Sequence, residues 1–93
     1  MVIAILTLRF QLHGCRSLKE KRQRLSGLRE KFGRLPQVAV CESAHQDQWQ
    51  SSEWSFVIVS TDKRQATQLL DQIQSHTQQS LDAVTSHCHV DWL

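Results

Sequence analysis

Four strands and two helices in the order β-α-β-β-α-β, an α+β architecture built on one antiparallel sheet, follow from three features of this 93-residue sequence. Residues 2–12 alternate in character with period two. Residues 82–93 do so again. Between them, two stretches repeat apolar residues at helical spacing and enclose two shorter apolar runs.

In the first strand, Val2, Ala4, Leu6, Leu8, Phe10 and Leu12 point one way, and Ile3, Ile5, Thr7, Arg9 and Gln11 point the other. His13-Gly14 breaks the run. Ser17 opens the first helix, and Ser17 with Glu20 matches a capping box, in which each side chain bonds the other's free backbone N–H. Leu18, Leu25, Leu28, Phe32 and Leu35 form its buried stripe. Lys19, Gln23, Arg24, Glu30, Lys31 and Arg34 fall on the opposite side. Lys21 and Arg22 flank the stripe, with stems along it and charges reaching water. Gly33 weakens the last turn and Pro36 ends the helix. Residues 38–42 read as a second strand and residues 54–60 as a third. Asp62 caps a second helix with Ala66, Leu69, Leu70, Ile73 and Thr77 inward. In the last strand Val84, Cys88, Val90 and Trp92 share one side, which makes Cys88 a core residue. Thr85, His87, His89 and Asp91 share the other. Right-handed crossovers and helices of similar length select the ferredoxin-like split βαβ arrangement. The expected strand order is 4-1-3-2, with both helices on one face. Ile3, Ile5, Ser55, Val57 and Val59 then lie on the open face.

The length suits one domain with a modest core. No apolar run approaches the roughly 20 residues that span a bilayer. The apolar start MVIAILTL lacks a preceding basic stretch and a small-residue cleavage site, so the expected address is cytoplasmic, with no membrane partner. Cys15, Cys41 and Cys88 form no C-x-x-C pair, and reduced thiols are expected. Net charge is only +2, but it is unevenly placed. Residues 9–34 carry Arg9, Arg16, Lys19, Lys21, Arg22, Arg24, Arg29, Lys31 and Arg34 against Glu20 and Glu30, a net of +7. The remainder carries Lys63 and Arg64 against seven carboxylates, a net of −5. A segment of that kind reads either as a surface for phosphate or as a solvated helix face.

RNA-recognition modules on such a sheet stack bases on aromatics of the two central strands. Ile3, Ile5, Thr7, Ser55, Val57 and Val59 occupy those places, so base stacking on the sheet is disfavoured. Their apolar character points to self-association or cover by another protein. His87-x-His89 puts two imidazoles on one face of a strand, but a structural zinc site needs four ligands and no others are evident. No metal or cofactor is therefore expected. The segment SAHQDQWQ, residues 43–50, falls between the second and third strands. His45 and Asp47 can structure that turn by bonding backbone groups. Trp49 can cover the core edge or offer a face to a base. No Gly-rich phosphate loop, nucleophile elbow or carboxylate pair is present, so no catalytic constellation is recognised.

Three stretches, RSLKEKR (16–22), AHQDQWQ (44–50) and VIVS (57–60), resemble the YlxP-like bacterial family, domain of unknown function 503, and the resemblance runs over essentially the whole chain. It departs from the usual pattern at Ser43-Ala44. The resemblance implies a small ferredoxin-like domain. Family genes often lie among those for translation initiation and ribosome maturation factors, which implies association with RNA or the ribosome. The family offers no established catalytic residues.

The leading expectation is an RNA- or ribosome-associated accessory factor. Arg16, Lys19, Arg22, Arg24, Lys31 and Arg34 would contact phosphates, with Trp49 as a stacking group. The alternative is an interaction module that forms a homodimer or docks a partner through Ile3, Ile5, Val57 and Val59. An enzyme built on His45 and Asp47 stands third.

Overall fold

In the computed structural model, which describes residues 1–93, β1 (Val2–Gln11), α1 (Leu18–Phe32), β2 (Val38–Ala44), β3 (Ser51–Ser60), α2 (Lys63–Ser80) and β4 (Val84–Trp92) follow one another along the chain. The period-two pattern of β1 has the consequence expected of it. Ala4, Leu6, Leu8 and Phe10 are buried, and Ile3, Ile5 and Thr7 only partly so. Each buried β1 residue lies opposite one from β3, with Leu6 facing Phe56 and Leu8 facing Trp54. The sheet order is β2-β3-β1-β4, antiparallel throughout. This is the ferredoxin-like arrangement.

Leu25, Leu28 and Phe32 of α1 and Ala66, Leu70 and Ile73 of α2 close over the same sheet face in one continuous core. Phe32 meets Phe56 edge-on at 6.1 Å between ring centroids. Both helix starts are capped as their sequences dictate. Ser17 Oγ accepts the Glu20 backbone N–H at 3.0 Å, and Asp62 Oδ1 accepts that of Gln65 at 2.8 Å. The return bond of the capping box is not made. Glu20 turns instead toward Arg24, at 3.6 Å.

One expected face assignment is overturned. Arg9 pairs with His87 but Phe10 pairs with Thr85, so Ser86 is an extra residue in β4. A bulge of this kind inverts the alternation beyond it. Val84 therefore leaves the side it was expected to share with Cys88 and is exposed. Thr85 swaps to the helix side, where its Oγ1 is buried without a partner. Cys88 does face that side, opposite Leu8, yet it is exposed rather than core. The reason is position. α1 lies against β2, and α2 against β3 and β1 with a thin contact to β4, so the edge strand projects beyond its cover. What partial burial remains raises the Cys88 thiol pKa. No helix is long and apolar enough to cross a membrane.

Candidate nucleic-acid interface

The basic residues of α1 do not form one face. At about 100° per residue, Arg22 and Arg29 fall on one flank of the Leu25–Leu28–Phe32 stripe, and Arg24 and Lys31 fall on the other. The Arg22 flank faces the β2–β3 turn. The Arg24 flank faces α2 and the turn that follows it.

On the α2 side the cations are engaged. Arg24 donates from Nε to the Asp82 carbonyl at 2.8 Å and from Nη1 to the His13 carbonyl at 2.9 Å. It also meets the Asp82 carboxylate at 3.2 Å. Its side chain is only 15% exposed. Arg24 was expected to contact phosphate, but it staples the loop after β1 to the loop before β4. Lys31 lies 3.5 Å from His76 Nδ1 and over the Phe32 ring. His76 packs edge-on against Phe32, with ring centroids 5.4 Å apart. Burial first, and the Lys31 charge second, lower the His76 pKa.

Toward β2, the cations other than Lys21 make no ion pair. The ion pairs made by residues 9–34 involve Arg9, Lys21 and Arg24 alone. Arg16, Lys19, Arg22, Arg29 and Arg34 have no carboxylate partner. Arg22, Arg29 and Arg34 line a cleft of about 580 Å³ between α1 and the β2–β3 turn, with Leu18, Leu25 and Trp54 as its apolar lining. Arg29 stands over the Trp54 ring, its Cζ 5.6 Å from the centroid. Arg29 was not among the expected phosphate contacts. The spacing of seven between Arg22 and Arg29, two turns of one flank, is the signal that could have found it.

Lys21 is the larger surprise. Its charge was expected to reach water, yet the residue is 2% exposed. Nζ donates to the carbonyls of His45 and Gln48, each at 2.7 Å, approaches that of Gln46 at 3.4 Å, and pairs with Glu42 Oε2 at 2.8 Å. Four oxygens around one ammonium use its three donors and its charge, which is what permits burial. Glu42 also accepts from Ser52 Oγ at 2.5 Å, and Ser52 accepts from the Trp54 indole at 2.8 Å. The turn is thus held by a helix lysine through its backbone carbonyls. His45 contributes its carbonyl and a left-handed backbone, φ 61°. Neither its ring nor the Asp47 carboxylate makes a hydrogen bond. Trp49 is 51% exposed at the tip and does not cover the core.

The open sheet face divides in two. At one end Ile3 faces Val59 and Ile5 faces Val57, with Val59 39% exposed. At the other end Arg9 donates to Glu53 at 2.9 Å. That hydrogen bond is the main cause that holds the Glu53 carboxyl below its usual range. His87 and His89 stack at 6.5 Å, and His89 meets Asp91 at 3.0 Å. No three His, Cys, Asp or Glu side chains converge as metal ligands.

Comparison with known proteins adds fold and family. The family model described as "Protein of unknown function (DUF503)" matches residues 3–90. No curated protein matches the chain. Among solved structures, a putative chlorite dismutase is similar at 13% identity and a TM-score of 0.57, over 99% of this chain and 44% of that one. This chain therefore spans less than half the length of that protein. SnoaB, a cofactor-independent oxygenase from Streptomyces nogalater, is similar at 15% identity and a TM-score of 0.55, over 99% of this chain and 90% of that one. A de novo designed protein with a ferredoxin fold is similar at 8% identity and a TM-score of 0.51, over 100% and 83%. At such identities the likeness is one of fold.

Proposed function

The chain belongs to the DUF503 family, and from that starting point we propose that it is an RNA-binding accessory domain that grips phosphates along the β2-side flank of α1. One observation carries the reading. Arg16, Lys19, Arg22, Arg29 and Arg34 have no intramolecular carboxylate partner, while Arg24 is consumed by structure. Free guanidinium and ammonium groups on a helix and at its two ends, beside a cleft, suit a polyanion. The exposed Trp49 ring at the tip of the pinned turn suits base stacking at the border of that surface. The interaction with ribosomal or other structured RNA follows from the same chemistry, since phosphate contacts do not depend on base sequence. The reading needs no catalytic group.

The test is a salt titration of binding to single-stranded RNA. Binding through phosphates releases counterions, so affinity falls as salt rises, with a log–log slope of about −0.7 per contact. Changing Lys19, Arg22 and Arg34 together to Gln lowers affinity and flattens the slope by about two units if all three touch phosphate. Trp49→Ala weakens binding by roughly 1–3 kcal/mol with the slope unchanged. No binding by the native chain at low salt, or equal binding by the triple variant, removes the proposal.

A second reading has its own observation. Ile3, Ile5, Val57 and Val59 form an apolar strip across the two central strands, on the face that neither helix covers. A second copy of the chain laid on that strip would bury it. Ile5→Glu leaves a folded monomer if the strip is a dimer interface. Sedimentation of the native chain as a monomer at high concentration removes this reading.

A further inference from the structure

The cleft between α1 and the β2–β3 turn holds more chemistry than a phosphate uses. Its volume of about 580 Å³ lies within the ~300–1,000 Å³ of small-molecule sites. Three guanidinium groups on its walls do not suit a purely apolar occupant. Glu30 and Asp47, also on its walls and without ion-pair partners, oppose a bare polyphosphate. The fitting occupant is anionic at one end and rich in N–H donors at the other.

We propose that this cleft holds one unpaired nucleotide, with guanine as its base; the inference rests on the RNA reading and deepens it. Arg29 lines the cleft, its Cζ 5.6 Å from the centre of the Trp54 ring, and its guanidinium is a planar cation. Nucleobases stack on such guanidinium planes. Asp47 can only accept hydrogen bonds. Guanine offers N1–H and N2–H side by side, one for each carboxylate oxygen. Uracil offers one N–H between two carbonyls, which a carboxylate repels. Adenine and cytosine offer an amino group beside an acceptor. Arg22 and Arg34 remain for the phosphate. Asp47 is not on a loose loop, because Lys21 binds the carbonyls of Gln46 and Gln48 on either side of it.

Guanosine monophosphate, uridine monophosphate and inorganic phosphate titrated into the isotopically labelled full chain test this by amide and indole shifts. The guanine nucleotide should move the Ser26 and Asp47 amides and bind about tenfold or more tighter than the uridine nucleotide, the margin of a bidentate base contact. Inorganic phosphate should bind weakest. Asp47→Asn, a change at an exposed position, should erase the guanine preference and leave the phosphate response unchanged. Equal affinity for the two nucleotides, or phosphate binding as tight as the guanine nucleotide, overturns the proposal. RNA binding with a steep salt slope but no guanine preference removes this pocket and leaves the phosphate reading standing. Guanine-nucleotide binding without affinity for RNA keeps the pocket and removes that reading.

Discussion

The two flanks of α1 carry similar charges and have opposite fates. On the α2 side, Arg24 reaches two backbone carbonyls and a carboxylate, and Lys31 lies beside His76. On the β2 side, Arg22 and Arg34 reach no protein acceptor, and Arg29 meets only the Trp54 ring. The difference comes from what each flank faces. The α2 side meets chain ends of elements, where carbonyls lack partners and accept readily. The β2 side meets a turn whose carbonyls are already taken by Lys21. The carbonyls of that turn are spent on Lys21, so the neighbouring arginines find none of them to bond. A count of cations is therefore a poor guide to a binding surface, and the useful quantity is how many remain unspent.

The comparison breaks first at Lys21, where the largest effect is expected. Lys21→Met keeps most of the apolar stem and removes the charge. Three carbonyls and the half-buried Glu42 then lose their shared partner. Removing one member of a buried pair costs roughly 3–5 kcal/mol, and partial access of water to Glu42 puts this case near the lower end, about 3 kcal/mol. Urea denaturation measures it. A loss under about 0.5 kcal/mol, the range of ordinary surface changes, would mean that the turn holds itself. The free turn should also weaken nucleotide binding at Asp47, while an unchanged far-ultraviolet circular dichroism spectrum separates a folded but loosened protein from an unfolded one.

The flanks themselves differ by a smaller amount. Arg24→Gln deletes partly exposed charge-assisted bonds and should cost about 1 kcal/mol. RNA affinity should not change. Arg22→Gln should leave stability within about 0.5 kcal/mol and weaken RNA binding. Equal stability losses for the two variants would erase the distinction between the flanks.

The fold was legible because its signals are periodic and local. Alternation in β1, the Ser17 and Asp62 caps and the helical stripes each constrain a segment from within. Other features escaped. The β4 alternation looked regular, but the bulge at Ser86 is set by pairing with Arg9 and Phe10, about 75 residues away in sequence. Lys21 read as a snorkelling flank residue because its partners are backbone oxygens, and backbone carbonyls carry no residue signature. For the same reason His45 and Asp47 drew attention as turn-structuring side chains, whereas the turn is structured through its main chain. The segregation of free from engaged arginines was out of reach for a related reason: Arg24 is spent on the carbonyls of His13 and Asp82.

The smallest effect sharpens the α2 side of the comparison through pH. His76 is wedged against the edge of Phe32, and a methyl built on Gly27 would lie 3.6 Å from its Nε2. Burial and the nearby Lys31 both disfavour the imidazolium, so the folded pKa lies below the ordinary value near 6.5. Above that value both states are neutral and the packing contribution is whole. As pH falls through it, the unfolded chain takes up a proton that the folded chain resists, and stability drops until the folded group titrates too. His76→Gln should therefore flatten the decline in stability between about pH 7 and pH 5, near the ordinary histidine titration range. Glu53 does not confuse the measurement. Its pKa is depressed by the Arg9 bond, so its contribution is intact above the ordinary carboxyl value of 4.5 and is lost only below it. The exposed histidines are common to both proteins and cancel in the difference. Parallel urea midpoints for the two proteins across that range would show that the α1–α2 seam is indifferent to the charge of His76. A steeper decline in the variant would mean that the folded state favours the imidazolium, so that the His76 pKa is raised on folding rather than lowered.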